Sequence, residues 1–358
     1  MQFQLTTDYL EKVVQLIANK DRIALRQLLK DIHFADIAEL LEELNSEEAT
    51  YLIKSLESEI TSEALMELDE DDREKILNRL SPIEIAKEIE EMATDDAADV
   101  VAELDDHIQK KVIEKIEDEE HASDIVELLN YEEDTAGALM AKELVKVEET
   151  WSVATAIKEI RIQSKDIENL YTIYVVNSFG ELTGRLSLQN LLLTAASTRT
   201  PVGELKDDED IISIKAKEKE ELVVSLMERY DLVALPVTDD NGILLGRITI
   251  DDAVDVIIEE AERDYQLASG ISEDVESYDS VWTLTRARLP WLLIGLGGGV
   301  GGAYVIGAFD IVSNPEMALF IPLIAAMGGN VGVQSSAIVV QGLATSSINT
   351  SNIATRLI

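Results

Sequence analysis

Gly184-Arg-Leu-Ser-Leu-Gln-Asn190 and Gly246-Arg-Ile-Thr-Ile-Asp-Asp252 stand 62 residues apart and share one order of small, basic, apolar and polar residues. The match extends outward at the same step: Gly180 corresponds to Gly242, Gly184 to Gly246, Arg185 to Arg247 and Ser187 to Thr249. Around each copy the apolar pattern predicts the same succession of elements. Residues 171–176 read as a strand, 177–180 as a turn, 182–186 as a second strand and 187–193 as a helix. The succession recurs over 232–237, 239–242, 244–250 and 252–260. Two tandem copies of one α/β unit explain a register held at four matched positions.

Upstream, from Met1 to about Tyr131, apolar residues fall three and four apart, the spacing of helices that bury one face. Ile37, Leu40, Leu41 and Leu44 make one stripe, Ile85, Ile89 and Met92 another, and Val100, Val101 and Leu104 a third. Ser81, Pro82 and Glu84 have the order of a capping box with proline at the first helical position. Thr94 is the expected cap of a helix beginning at Asp95. Residues 36–44 and 96–104 are alike, which predicts stacked helical hairpins forming a small superhelix, with a plain helical bundle as the alternative.

The net charge is −41, and all but one of the 30 Lys and Arg and all but two of the 71 Asp and Glu precede residue 289. Residues 289–309 and 317–344 are uncharged and each long enough, at about 1.5 Å per helical residue, to cross a bilayer core of about 30 Å. Asp310, Ser313, Asn314 and Pro315 between them predict a hairpin turn. Arg286 and Arg288 stand just before the first span, which places the acidic part on the cytoplasmic side. Residues 1–16 carry Asp8, Glu11 and Lys12 and no apolar signal-peptide core. The lack of cysteine agrees with a reducing compartment.

So acidic a chain repels nucleic-acid phosphates. With three histidines, no cysteine, no Walker loop and no nucleophile elbow, it is not expected to be an enzyme. In the second span Gly328, Gly329 and Gly332 permit close backbone approach, and Asn330, Gln334, Ser335 and Ser336 put polar groups at bilayer depth. Such residues serve either helix packing or a pore lining.

The Gly-Arg repeats, each at a strand-to-helix turn of a tandem, resemble CBS domains, whose paired cleft binds adenosine nucleotides in many families. An acidic helical domain, a CBS pair, a linking helix near 278–289 and a span bearing Gly-Gly-Asn-x-Gly-x-Gln-Ser together resemble the MgtE family of magnesium channels. The resemblance implies a multidomain chain: an all-α superhelical N-domain (1–136), an α/β tandem CBS pair (137–200 and 201–264), a linking or plug helix (265–288) and an α-helical transmembrane hairpin (289–358). It implies a homodimer in the plasma membrane with its N-terminal domains cytoplasmic. Its pore, lined here by Gly328, Gly329, Asn330 and Gln334, would be closed when the N and CBS domains sense Mg²⁺.

Sensor acids carried over by motif are Asp95 and Asp99 in the N-domain and Glu221, Asp231, Asp252, Glu260 and Asp264 in the CBS pair. Lys219 and Arg263 stand where the family pattern has acids. ATP is a further expected ligand, with Thr249, Asp252 and Asn190 as nucleotide-binding candidates; a membrane-tethered nucleotide or energy sensor without transport is the alternative function. Members of the family have five membrane helices, so residues 1–358 are expected to hold the sensor and the pore entrance without a complete permeation path.

Overall fold

Ten short helices open the chain in the computed structural model, which describes residues 5–165, 167, 170, 172–194, 197–207, 211–271, 281–308 and 320–344. They are α1 (Thr7–Ala18), α2 (Arg22–Leu29), α3 (Phe34–Glu42), α4 (Ser46–Ile53), α5 (Ser58–Met66), α6 (Glu70–Leu77), α7 (Pro82–Ile89), α8 (Thr94–Ala102), α9 (Asp106–Ile113) and α10 (Glu119–Leu128). Helices this short are marginal in isolation, so their stability comes from the apolar stripe each turns inward. Every residue of the three stripes read from the sequence is buried.

The helices stack with a step of two: α3 packs on α5, α5 on α7, α7 on α9, α4 on α6 and α8 on α10. Polar contacts repeat with the same step. Lys54 Nζ donates to Glu84 at 3.0 Å and Ser58 Oγ to Glu88 at 3.1 Å, and Arg73 Nε donates to Glu103 at 3.0 Å, each across 30 residues. Stacked hairpins bury a continuous core in this way. The capping box at α7 is present: Ser81 Oγ accepts the Glu84 N–H and Glu84 Oε2 accepts the Ser81 N–H at 2.8 Å. The expected Thr94 cap is not. Helix α8 starts at Thr94 itself after Ala93, and the Thr94 side chain is bonded to Glu143 instead.

The tandem units follow. The first has β1 (Val145–Glu148), α11 (Val153–Gln163), β2 (Ile173–Val176) and β3 (Leu182–Leu186); the second has β4 (Ile214–Lys215), α12 (Glu220–Tyr230), β5 (Ala234–Thr238), β6 (Leu244–Thr249) and α13 (Ile250–Ala268). In each sheet the central strand is parallel to the first and antiparallel to the third. Strand β5 begins two residues later than the sequence pattern implies because the Leu232 N–H caps α12 through the Met227 carbonyl. The helix expected over 187–193 is present from Leu188 and widens to a π-helical turn over Asn190–Thr194.

The repeated glycines have structural causes. Gly180 and Gly242 adopt φ of +84° and +86° in equivalent turns, where a side chain would be strained. The two turns bond each other reciprocally: the Leu182 N–H to the Gly242 carbonyl, and the Leu244 N–H to the Gly180 carbonyl. At the second glycine of each repeat the chain is crossed by the segment that precedes the other repeat. Ala141 exchanges both backbone hydrogen bonds with Arg247, and Asp207 does the same with Arg185.

The chain divides into two units, Met1–Val256 and Ile257–Ile358. In the second unit α13 ends in a Schellman turn at Gly270 (φ +78°), with the Ile271 N–H on the Gln266 carbonyl, and Gly270 lies against the Trp291 ring. Helix α14 (Val281–Gly307) runs unbroken through Pro290, so the end of the expected linking helix and the start of the first span form one element. Among the described residues α14 is the one helix long and apolar enough to cross a membrane, and its large apolar side chains are exposed. Helix α15 (Ile321–Ala344) covers the second uncharged run. The expected polar turn at 310–315 lies outside the described residues.

Candidate functional site

Two helix N-termini bring acids together. The first turn of α8 carries Asp95 and Asp96, and the first turn of α13 carries Asp251 and Asp252. Each doublet is locally favoured, since the positive end of the helix dipole stabilises an anion in the first turn. Tertiary packing then sets the doublets against each other.

Burial is the largest influence on three of these carboxyls and disfavours their charged form. It raises Asp95 well above the usual range, reinforced by Asp96, Asp252 and Glu143, against one opposing hydrogen bond from the Asp96 N–H. Asp96 is pushed up to about 7 by burial and by the charges of Asp252, Asp99, Glu63 and Asp251. Asp252 is pushed up to about 6 by burial, although it accepts from Thr249 N–H at 2.7 Å and Thr249 Oγ1 at 2.9 Å; Asp251 and Asp255 reinforce the rise. Asp255 is raised by burial, Asp251 and Glu67. The principal charges acting on all four are negative.

Oxygen donors of this kind suit a hard divalent cation. Among the described residues no three acidic, histidine or cysteine side chains are grouped to hold one ion.

Of the sequence candidates, Asp95 and Asp252 meet here, and Asp99 lies exposed one turn along α8, close enough to act on Asp96. Glu221 and Asp231 do not meet: they stand at opposite ends of α12, about 15 Å apart by helical rise. Asp231 ends that helix in the left-handed conformation (φ 50°). Lys219 is exposed at its N-cap. Glu260 and Asp264 lie further along α13, in the second unit, as does the exposed Arg263. Asp96, Glu143, Asp251 and Asp255 were missed. The Asp-Asp doublets at two helix starts were the available signal; nothing local marks Glu143.

The nucleotide candidates have capping roles. Asp252 accepts from Thr249, while in the first repeat Ser187 Oγ accepts the Asn190 N–H at 3.0 Å. A separate cleft between the two repeats is lined by Thr172, Tyr174, Arg185, Ile212, Leu232 and Pro236 among others, and by none of those three candidates. Burial pushes Tyr174 up to about 12, and its hydroxyl has no partner among the described residues. The free space in the cleft, about 30 Å³, is far less than a nucleotide needs.

On the exposed face of α15, Asn330 and Gln334 are one turn apart, and Cβ atoms built at Gly328 and Gly329 would meet nothing within 4 Å.

The pattern described as the MgtE intracellular N domain matches residues 32–134, and the CBS domain pattern matches 136–196 and 202–259. The cytosolic domain of the Mg²⁺ channel MgtE, solved in complex with ATP, superposes with a TM-score of 0.64 at 32% identity, covering 69% of this chain and 99% of that one. The chain belongs to the MgtE family. Magnesium transporter MgtE of Bacillus subtilis (strain 168) is 33% identical over 224 residues, 62% of this chain and 49% of that protein. Magnesium transporter MgtE of Thermus thermophilus is 35% identical over 227 residues, 62% and 50% respectively. The chain thus spans about half the length of the curated MgtE relatives it matches.

Proposed function

We propose that this chain is a subunit of a magnesium channel or transporter whose N-terminal and CBS domains sense cytoplasmic Mg²⁺ and close the pore. The supporting observation is the pair of opposed acid doublets, Asp95-Asp96 and Asp251-Asp252, at the start of α8 and α13. Without a cation their repulsion opposes the packing of the N-domain on the CBS pair; a hydrated divalent ion between them removes it. An ion at ten times its Kd adds about 1.4 kcal/mol to the packed state per site, so a few weak sites make a graded switch.

The test is a Mg²⁺ titration of the full chain in detergent, followed by small-angle scattering, beside Asp95→Ala/Asp99→Ala. Compaction by millimolar Mg²⁺ that weakens in the variant is expected. A wild-type chain indifferent to Mg²⁺ would sink the reading.

In the same reading α14 and α15 form a membrane hairpin with the acidic domains on the cytoplasmic side, and Asn330 and Gln334 face the ion path. The subunit pairs as a homodimer through the CBS repeats. Leu188 and Leu192 of the first repeat and their equivalents Ile250 and Val254 of the second are all exposed, a pseudo-symmetric apolar patch suited to an isologous contact. ATP is a second ligand on this proposal, supported by the ATP complex of the related cytosolic domain. Tyr174 and Arg185 would meet it in the cleft between the repeats, which must open to admit it. ATP binding that is lost in Tyr174→Phe/Arg185→Ala would support that assignment; unchanged binding would refute it.

A further inference from the structure

Residues 140–143 form a strap that touches both halves of the acid site. At one end Ala141 is locked to β6 by its two backbone bonds with Arg247, at 2.8 and 2.9 Å, and β6 leads directly into Asp251 and Asp252. At the other end Glu143 holds the start of α8. Its Oε1 accepts the Thr94 N–H at 3.1 Å, and its Oε2 accepts the Thr94 hydroxyl at 2.8 Å. Thr94 Oγ1 in turn accepts the Lys142 N–H at 2.8 Å, and Lys142 Nζ reaches Glu127 of α10 at 2.5 Å. Thr94 is 1% exposed, so in the packed form its N–H and hydroxyl are satisfied by these bonds and not by bulk water.

We propose that Glu143 is the positioning residue of the sensor: it caps α8 from 49 residues away and fixes Asp95 and Asp96 at a set distance from the doublet on α13. It rests on the Mg²⁺-sensing reading only for its second consequence, the ion dependence. Glu143 acts in two opposed ways. As an acceptor at a helix N-terminus left without a local cap it holds the packed form together. As a negative charge beside Asp95 it adds to the repulsion that a cation must relieve. A glutamine keeps the acceptor and drops the charge; an alanine drops both.

The experiment is hydrogen exchange of the α8 amides in the full chain in detergent, across a Mg²⁺ titration, for wild type, Glu143→Gln and Glu143→Ala. Without Mg²⁺, Glu143→Ala should raise exchange in the first turn of α8 about fivefold, the usual effect of losing a cap, while Glu143→Gln stays within about twofold of wild type. The Mg²⁺ midpoint should fall about threefold in Glu143→Gln and rise in Glu143→Ala, since one charge at a partly screened site carries an effect of that order. Amides of α5 and α7 report whether each variant keeps the helical stack, and should Glu143→Ala lose that stack, Thr94→Val removes the hydroxyl's bonds to Glu143 and from the Lys142 N–H while leaving the Glu143 bond to the residue 94 N–H. Identical behaviour of the glutamine and alanine variants, or no change in either, overturns the proposal, as does α8 exchange in Thr94→Val equal to wild type. A flat Mg²⁺ response in wild type would instead remove the sensing reading, and the Mg²⁺-free comparison would still decide the positioning role.

Discussion

A Cβ atom on Gly246 would lie 2.6 Å from the carbonyl oxygen of Ala141, closer than real side chains come to a backbone oxygen. The glycine that marks the repeat in the sequence is thus the point where the strap from the N-domain side crosses β6. A Cβ atom on its counterpart Gly184 would lie 2.9 Å from Lys206 Cδ and 3.0 Å from the Asp207 carbonyl oxygen.

Gly246→Ala should therefore separate the strap from β6 and cost about 1–3 kcal/mol, the usual range for overpacking. Gly184→Ala should cost less, because the nearest obstacle is the flexible end of a lysine. Thermal melts of the two variants, run side by side, check the order.

Acid should substitute for the cation at the α8–α13 contact. Asp95, Asp96 and Asp252 bind protons more tightly when packed than when free, so packing is strongest below their ordinary range near 4 and weakens as pH rises through about 6 to 7. Without Mg²⁺, exchange-protection factors in α8 should fall between pH 5.5 and pH 8, and Asp96→Asn should flatten that slope. Mg²⁺ added at pH 6.5 in weak buffer should release protons; a pH-indicator dye reads this directly.

Arg73 is 6% exposed and pairs with Glu103 through both Nε and Nη2, while its Nη1 donates to the Leu68 carbonyl at 3.2 Å. Burial raises Glu103 while Arg73 pulls it down. Arg73→Ala leaves a shielded carboxylate unpaired and should destabilise the helical stack by about 3 kcal/mol. Replacing both partners, as Arg73→Met/Glu103→Leu, should recover most of that loss in a denaturant titration.

The apolar patch on the CBS pair predicts an association change. Leu192→Glu and Val254→Glu should each shift the chain in detergent toward monomer by sedimentation velocity, whereas Ile23→Glu, on a still more exposed apolar residue of α2, should not.

The element types and the repeat were legible in the order of residues alone. Helical stripes such as Ile85, Ile89 and Met92 declare themselves because a helix buries one face every three to four residues, a local rule. The Ser81 capping box is likewise closed within four residues. Gly180 and Gly242 were legible because a turn at positive φ is a local demand on residue type. Local pattern failed at Thr94, which has the composition of a cap and serves as a long-range anchor. At 187–193 the helical reading holds, with the wider π winding over Asn190–Thr194 left unmarked by local pattern.

Which acids lie close enough to influence one another depends on packing between distant segments. Asp95-Asp96 and Asp251-Asp252 lie more than 150 residues apart, and the elevated proton affinity of Asp96 comes from burial and from charges on the other domain, Asp252 and Asp251, as well as on its own, Asp99 and Glu63. Glu143 carries no local signal, because the amide and hydroxyl it binds belong to a helix 49 residues earlier. Local propensity fixes what each segment becomes. Charge coupling and crossing strands depend on distances through space, which are set when the helical stack and the CBS pair close on each other.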